Sequence, residues 1–197
     1  MKAQLALFPL NTVLLPGNRL SLKIFEPRYS DLIAECLRDD HPFGVVLIRE
    51  GEETDRQPEL FRTGTTARII DWQDRKDGLL GISVFGERRF RILRQQPDAQ
   101  GLLRAEVDLL PEEQPCPIPD PYRYMQELLL HISASQPTQD DPGEDFNRIV
   151  FRLVFLLPLD NGLKQQLLEI DDCRERAAVL HAELIRLGVI QYVKPDQ

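Results

Sequence analysis

The sequence feature that most constrains the fold is a proline-rich segment in the middle of the chain. Residues 111–121 contain five prolines in eleven positions. Proline has no backbone N–H to donate and disrupts the interior of a helix or a central strand. We therefore predict a stiff linker at residues 113–121. This linker separates a part formed by residues 1–112 from a part formed by residues 122–197.

The part before the linker shows the alternation of apolar and polar side chains that is typical of half-buried strands. Leu20–Ile24 alternates in this way, and the apolar run Phe43–Ile48 favours a fully buried strand. Pro16-Gly17 suits a type II turn, and Asp77-Gly78 predicts a hairpin turn. We predict six to eight short strands, with Leu79–Phe85 and Arg88–Leu93 as separate strands. Such a set is expected of a small antiparallel barrel or of paired sheets.

One helix is predicted within this β-rich part, and helices dominate the part after the linker. Pro27 suits the first turn of a helix, and apolar residues follow it at helical spacing: Tyr29, Leu32, Ile33, Cys36 and Leu37. After the linker, an apolar stripe extends from Phe146 to Leu157, and a short helix is predicted at 160–169. Asp172 and Glu175 have the spacing of a capping box. The predicted fold class is therefore α+β.

Charge and hydropathy argue against two classes of partner, nucleic acids and membranes. The net charge of −8 is carried almost entirely by residues 111–197, which hold about −7 of it. Binding to a phosphate backbone requires clustered cations, so we do not expect nucleic acid as a partner. No apolar run approaches the ~20 residues that span a bilayer, and the N-terminus lacks a signal-peptide pattern. We expect a cytoplasmic protein that does not bind membranes.

The sequence contains no recognisable catalytic or metal-binding pattern. The three cysteines form no C-x-x-C pair, which argues against a disulfide framework and a zinc site. The three histidines are isolated, and the chain lacks a phosphate-binding G-x-x-x-x-G-K-[ST] motif. Ser83 does not lie in a G-x-S-x-G context. We therefore expect no enzymatic activity, no metal and no cofactor.

Several spaced motifs resemble the Lon protease N-terminal (substrate-binding) domain family. The first is Phe8-Pro9-Leu10-Asn11-Thr12-Val13-Leu14-Leu15-Pro16-Gly17, followed by Leu20-x-Leu22-x-Ile24-Phe25-Glu26-Pro27-Arg28-Tyr29. Three later pieces fit in order, namely Phe43-Gly44-Val45-Val46, Gly64-Thr65-x-Ala67-x-Ile69 and Gly86-x-Arg88-Arg89-Phe90-Arg91-Ile92. The helical segment from Leu159 to Glu169 also resembles this family.

This resemblance implies a β pseudo-barrel of PUA-like topology followed by a C-terminal helical bundle. It also implies a role in contacting unfolded or degron-bearing polypeptides. In full-length Lon an ATPase and a peptidase follow this domain, whereas the sequence here ends at Gln197. We therefore expect recognition without catalysis, with a separate protease or chaperone as a further partner.

Three groups of residues are candidates for binding. Apolar side chains of the β-rich part are expected to line an elongated peptide groove, namely Phe8, Leu15, Phe25 and Trp72. Glu26 and Arg28 lie at a strand-to-helix junction, where they serve either the helix start or a ligand. Arg89 and Arg91 belong to a local basic strip with Arg88 and Arg94, which is either a solvated face or a patch for carboxylates, acidic peptides or RNA. An RNA-binding PUA-like module and small-ligand binding in the barrel mouth are the alternatives.

Overall fold

The structure is a computed structural model that describes residues 1–74, 79–133 and 143–190. The chain divides into two compact units, Met1–Glu113 and Gln114–Gln197, which we call the β unit and the helical unit. Each is described by itself. The predicted turn at Asp77-Gly78 lies outside the described residues. No helix in the described part of the chain is long and apolar enough to cross a membrane.

The β unit contains six strands and one α-helix within its described residues. Their bounds are β1 (Lys2–Leu10), β2 (Arg19–Ile24), α1 (Pro27–Asp39), β3 (Phe43–Glu50), β4 (Glu59–Asp74), β5 (Leu80–Pro97) and β6 (Leu103–Leu109). As predicted, α1 begins at Pro27, and the apolar stripe from Tyr29 to Cys36 is buried. Leu37, the last residue of the predicted stripe, is 45% exposed.

All six strands belong to one sheet, in the order β2-β5-β4-β3-β1-β6, and β5 also pairs with β6. Strands β5, β4, β3, β1 and β6 thus form a closed ring of pairings, with β2 attached to the beginning of β5. The sheet is mixed rather than purely antiparallel, because β1 and β3 run parallel. Parallel neighbours need a long crossover connection, and the segment that contains β2 and α1 supplies it here.

The residues of β1 are buried on both faces of the strand, which divides the core of the β unit in two. On one face Phe8 packs in a cluster with Leu32 and Ile33 of α1. On the other face Leu7 belongs to a cluster with Phe90 of β5. This second cluster draws its residues from the ring of strands. The two clusters explain why β1 lacks a polar face in its second half.

Strand β5 continues through Gly86, where two separate strands were predicted. The Gly86 N–H donates to the carbonyl oxygen of Asn18 at 2.9 Å, and the Gly17 N–H donates to that of Gly86 at 2.8 Å. A Cβ on Gly86 would lie 2.6 Å from the Leu15 carbonyl oxygen, so this close approach requires glycine. The predicted turn at Pro16-Gly17 is confirmed by the positive φ of Gly17, 74°, and by a bond from Asn18 N–H to Leu15 O.

The helical unit begins with residues that form neither helix nor strand up to Pro119. A 3-10 turn (Asp120–Tyr122) follows, and then α2 (Arg123–Ser133), α3 (Phe146–Leu156), α4 (Asn161–Glu169) and α5 (Cys173–Arg186). The predicted stripe of α3 is buried. The Asp172 side chain caps α5 by accepting the backbone N–H groups of Arg174 and Glu175. The described elements therefore comprise a mixed sheet and five α-helices.

A fully buried arginine holds the last three helices together. Arg176 of α5 donates to the carbonyl oxygens of Leu167 (3.1 Å) and Ile170 (2.7 Å). It also donates to Oδ1 of Asn147 in α3 at 3.2 Å. Its guanidinium carbon lies 4.0 Å from the ring centroid of Phe151. The charge is therefore solvated by protein oxygens and an aromatic face instead of by water.

Candidate functional site

Arg28, the second residue of α1, joins three segments of the β unit. Its guanidinium donates to the carbonyl oxygens of Gly101 (3.1 Å), Glu53 (3.2 Å) and Asp55 (3.3 Å). Its Nε lies 2.9 Å from a carboxylate oxygen of Glu26, and only 9% of the side chain is exposed. These contacts occupy the guanidinium with the protein's own oxygens. Glu26 and Arg28 thus tie the helix start to two loops.

Two of the predicted groove residues belong to the core. Phe8 is 5% exposed and stacks on Tyr29, with ring centroids 4.1 Å apart. Burial raises the pKa of Tyr29 to about 12. Leu15 is fully buried, and its backbone carbonyl oxygen lies close to Gly86. Because both side chains point into the protein, the structure does not bring them to the surface beside Phe25 and Trp72.

Trp72 remains 56% exposed, and an irregularity in β4 determines its direction. The register between β4 and β5 shifts between Ile69 and Asp71, so Ile69 lies opposite Val84 and Trp72 lies opposite Ile82. Directly paired residues of neighbouring strands point to the same face. Trp72 therefore shares the face of Ile82, which is buried in the core. Strict alternation would have placed Ile69 and Trp72 on opposite faces.

Phe25 is the second exposed aromatic residue of the β unit, at 55% exposure. It directly follows β2, whose last residue, Ile24, pairs with Leu80 at the beginning of β5. Leu80 pairs on its other side with Asp74, at the end of β4. Phe25 and Trp72 therefore lie at the same end of strands β2, β5 and β4. About 10 Å, two strand spacings, separate Trp72 from β2.

Strand β2 is the edge of this part of the sheet. Among the described strands it pairs only with β5. Its side chains alternate, with Ser21 and Lys23 exposed and Leu22 and Ile24 buried. An edge strand of this kind presents backbone N–H and C=O groups that another chain can pair with. We call β2, Phe25 and Trp72 together the aromatic edge.

The four arginines of the predicted basic strip do not form one patch. Arg89 is 4% exposed and lies 3.1 Å from the Glu113 carboxylate. Arg88 donates to the carbonyl oxygen of Leu110. These two side chains hold the segment that follows β6, so they serve the structure. Only the two later arginines of the strip are exposed.

The exposed arginines lie beside carboxylates of β6. Arg91 is the register partner of Asp108. Arg94 is 84% exposed and lies 3.5 Å from Glu106, which also pairs with Lys2 at 2.9 Å. The pKa of Glu106 is lowered, mainly by the Lys2 hydrogen bond. The positive charge of the strip is therefore balanced locally, which is unlike a surface that attracts phosphates.

Two features that could take part in binding or in thiol chemistry were not predicted from the sequence. Ile70, at the register shift of β4, is 43% exposed, and the doublet Ile69-Ile70 was the available signal because it breaks a period of two. Cys116 and Cys173 approach each other, although their spacing in the sequence gives no sign of it. Within residues 1–74, 79–133 and 143–190, no three His, Cys, Asp or Glu residues are grouped so as to hold a metal.

Comparison with solved structures finds the same fold in known proteins. A Lon N-terminal domain protein from Xanthomonas campestris superposes with a TM-score of 0.77 and 33% sequence identity. The match covers 91% of this chain and 98% of that one.

Among curated proteins, Lon protease 2 of Myxococcus xanthus is 33% identical over 111 residues, which are 55% of this chain and 13% of that protein. Protein cereblon of Danio rerio is 28% identical over 139 residues, 67% of this chain and 31% of that protein. The chain thus spans less than a third of the length of these two relatives. A family model described as the ATP-dependent protease La (LON) substrate-binding domain matches residues 4–186. The chain belongs to the family of LON substrate-binding domains.

Proposed function

We propose that this chain recognises unfolded or degron-bearing polypeptide segments by binding alone, without a catalytic step. The observation that carries the proposal is the aromatic edge, where an edge strand and two half-exposed aromatic side chains lie at one end of the sheet. Membership of a substrate-binding family supports a role in contacting protein substrates. An aromatic side chain that remains half exposed offers apolar area to a partner at small entropic cost.

The aromatic edge suits a polypeptide in two ways. A segment that adds alongside β2 gains backbone hydrogen bonds that do not depend on its sequence. Phe25 and Trp72 then offer apolar contacts to side chains of the same polypeptide. A strand added outside β2 would lie about 14 Å, three strand spacings, from β4. About five extended residues cover that distance, so a short segment that turns across the end of the sheet can contact both β2 and Trp72. Binding of this kind is expected to be weak, because ordering an unfolded segment costs several kcal/mol.

We also propose a specific fold type for each of the two units. The closed ring of strands supports a PUA-like pseudo-barrel, and α2 to α5 support a C-terminal helical bundle. A separate protease or chaperone that takes over the bound polypeptide is part of the proposal. The cytoplasmic location that the sequence suggests stays a prediction.

The two alternative functions have less support. RNA binding would require an exposed cluster of cations, whereas three of the four arginines of β5 lie beside Glu113, Asp108 and Glu106. The fourth, Arg88, donates to the carbonyl oxygen of Leu110. Small-ligand binding in the barrel mouth would require space between the strands. The ring of strands instead contributes side chains to a packed apolar cluster, in which Leu7 and Phe90 are fully buried.

The test uses the chain's single tryptophan as a reporter of its own site. The full chain is titrated with a carboxymethylated, permanently unfolded model protein that lacks tryptophan. Because Trp72 is 56% exposed, binding at the aromatic edge is expected to shift its emission to shorter wavelengths. Phe25→Ser is expected to weaken binding by about fivefold or more, the usual effect of truncating an aromatic anchor.

Matched control variants distinguish binding at the aromatic edge from nonspecific binding to exposed apolar side chains. Leu93→Ser removes an exposed apolar side chain from the far part of β5, and Leu130→Ser removes one, 63% exposed, from α2. Both variants are expected to bind like the parent chain. Equal weakening in Leu93→Ser and Phe25→Ser would contradict the proposed location. Binding of mixed-sequence RNA but not of the unfolded protein would contradict the proposed function.

A further inference from the structure

Two cysteines of the helical unit that are 57 residues apart in sequence meet in space. Cys116 lies in the proline-rich segment, and Cys173 is the first residue of α5. Their Sγ atoms are 2.7 Å apart, whereas the sulfurs of a disulfide are bonded at about 2.05 Å. Both cysteines are free thiols in this structure. A small adjustment of the side chains would therefore bring the sulfurs to bonding distance.

The backbone on each side holds the two thiols in place. The Cys116 N–H donates to Oδ1 of Asp145 at 3.2 Å, and the Cys116 carbonyl accepts the Phe146 N–H at 2.8 Å. Cys116 is thereby fixed to the beginning of α3. Cys173 directly follows Asp172, the residue that caps α5. Neither cysteine can move far from the other while these helices are formed.

The two thiols differ in access to solvent. Cys173 is 9% exposed, and burial is the main cause that raises its pKa to about 12. Cys116 is partly exposed. A dissolved oxidant therefore reaches the sulfur of Cys116 first. Cys36 lies on the buried face of α1 in the β unit and is 3% exposed, which makes it an internal control.

We propose that Cys116 and Cys173 form a reversible thiol–disulfide pair that responds to peroxide or disulfide oxidants. With hydrogen peroxide, the Cys116 sulfur attacks one oxygen and the O–O bond breaks, which gives a sulfenic acid and one water. The Cys173 sulfur then attacks the sulfenic sulfur, and the S–O bond breaks. The departing hydroxide takes the Cys173 proton and leaves as a second water. Two thiols are oxidised to one disulfide while peroxide is reduced to two waters.

Formation of this disulfide is expected to stabilise the helical unit against unfolding. It is expected to leave polypeptide binding by the β unit unaffected. The bond ties the proline-rich segment to α5 and closes the loop between two cysteines that are 57 residues apart in sequence. A cross-link that closes a loop of this size restricts the unfolded chain strongly. The thermal midpoint of the helical unit is therefore expected to rise by about 5 °C or more. The inference does not depend on the proposed function.

The test compares the full chain after treatment with dithiothreitol and with one equivalent of hydrogen peroxide. After oxidation, intact mass is expected to fall by two hydrogen atoms, and non-reducing digestion is expected to yield one peptide pair that contains Cys116 and Cys173. Circular dichroism at 222 nm follows the midpoint of the helices.

Matched variants decide between this pair and other thiol chemistry. Cys116→Ser changes the partly exposed partner and is expected to abolish both the mass loss and the midpoint shift. Cys36→Ala should retain both. A disulfide that includes Cys36, a bond between two copies of the chain, or unchanged mass after oxidation would each overturn the proposal. Recovery of the original mass with dithiothreitol checks reversibility.

Discussion

Replacing Arg28 with glutamine removes the guanidinium that connects α1 to the loops around Asp55 and Gly101. The lost contacts are three hydrogen bonds at 3.1 to 3.3 Å and one ion pair at 2.9 Å. Charged hydrogen bonds contribute roughly 1.5–3 kcal/mol each when well formed. The lengths here lie at the long end of the range, and water can solvate the freed carbonyls in part. We therefore expect a loss of about 3 kcal/mol in the free energy of unfolding of the β unit.

The contribution of Arg28 to stability can also be tested through its ion pair with Glu26. Oε1 of Glu26 is buried without a hydrogen-bond partner in the described part of the chain, so Arg28 is the group that compensates its charge. In a double-mutant cycle, Glu26→Gln and Arg28→Gln should be coupled by about 1–2 kcal/mol. Arg38→Gln is the matched control, because Arg38 is exposed on the same helix and pairs with its neighbour Asp39. It is expected to leave the unfolding curve unchanged.

The assay is urea unfolding, followed by the fluorescence of Trp72. This residue is the only tryptophan of the chain and lies in the β unit, so its signal reports the unit that contains Arg28. Circular dichroism reports both units. The result that would refute the reasoning is an Arg28→Gln variant with parental stability but lost polypeptide binding. Arg28 would then be a ligand contact, the alternative that the sequence had left open.

Two further predictions concern buried charge and pH. Arg176→Met removes the hydrogen bonds from the buried guanidinium to Asn147 Oδ1 and to two backbone carbonyl oxygens. The helical unit should lose about 3 kcal/mol of stability in urea unfolding followed at 222 nm. A change below about 1 kcal/mol would contradict this. The pKa of Glu35 is held below its ordinary 4.5, chiefly by the hydrogen bond from Arg104. A lowered pKa stabilises the fold above pH 4.5, and this stabilisation is lost as the pH falls through the lowered value. Arg104→Gln should therefore lower the urea midpoint at pH 6 more than at pH 3, and equal losses at both would contradict the assignment.

Local sequence signals predicted those parts of the fold that depend on neighbouring residues. The turn at Pro16-Gly17 needs only a proline and a glycine that accepts a positive φ, and the structure has it. Helix α1 begins at Pro27, and α5 is capped by Asp172, because capping involves residues within one turn. In each case the determining contacts span only a few residues.

Features that depend on distant partners were not predictable in the same way. Arg89 has the pattern of a solvent-facing strand residue, but Glu113 lies beside it and it is buried. The alternation around Trp72 could not show its face, because the register shift at Ile70 is defined only against β5. The meeting of Cys116 and Cys173 depends on how α3 and α5 pack. Sequence spacing carries no information on such contacts.

These differences separate the residues that specify the fold from those that can select a partner. Most of the motif residues that resemble the family hold the β unit together: Phe8 and Leu15 lie in the core, Gly86 admits a close backbone approach, and Arg28 joins the loops. Such residues identify the scaffold and say little about the ligand. The exposed side chains Phe25 and Trp72 contribute little to the core, so they can change at small cost in stability. If the proposed function is correct, ligand preference should follow these positions, and exchanging them should alter binding while leaving the unfolding curve almost unchanged.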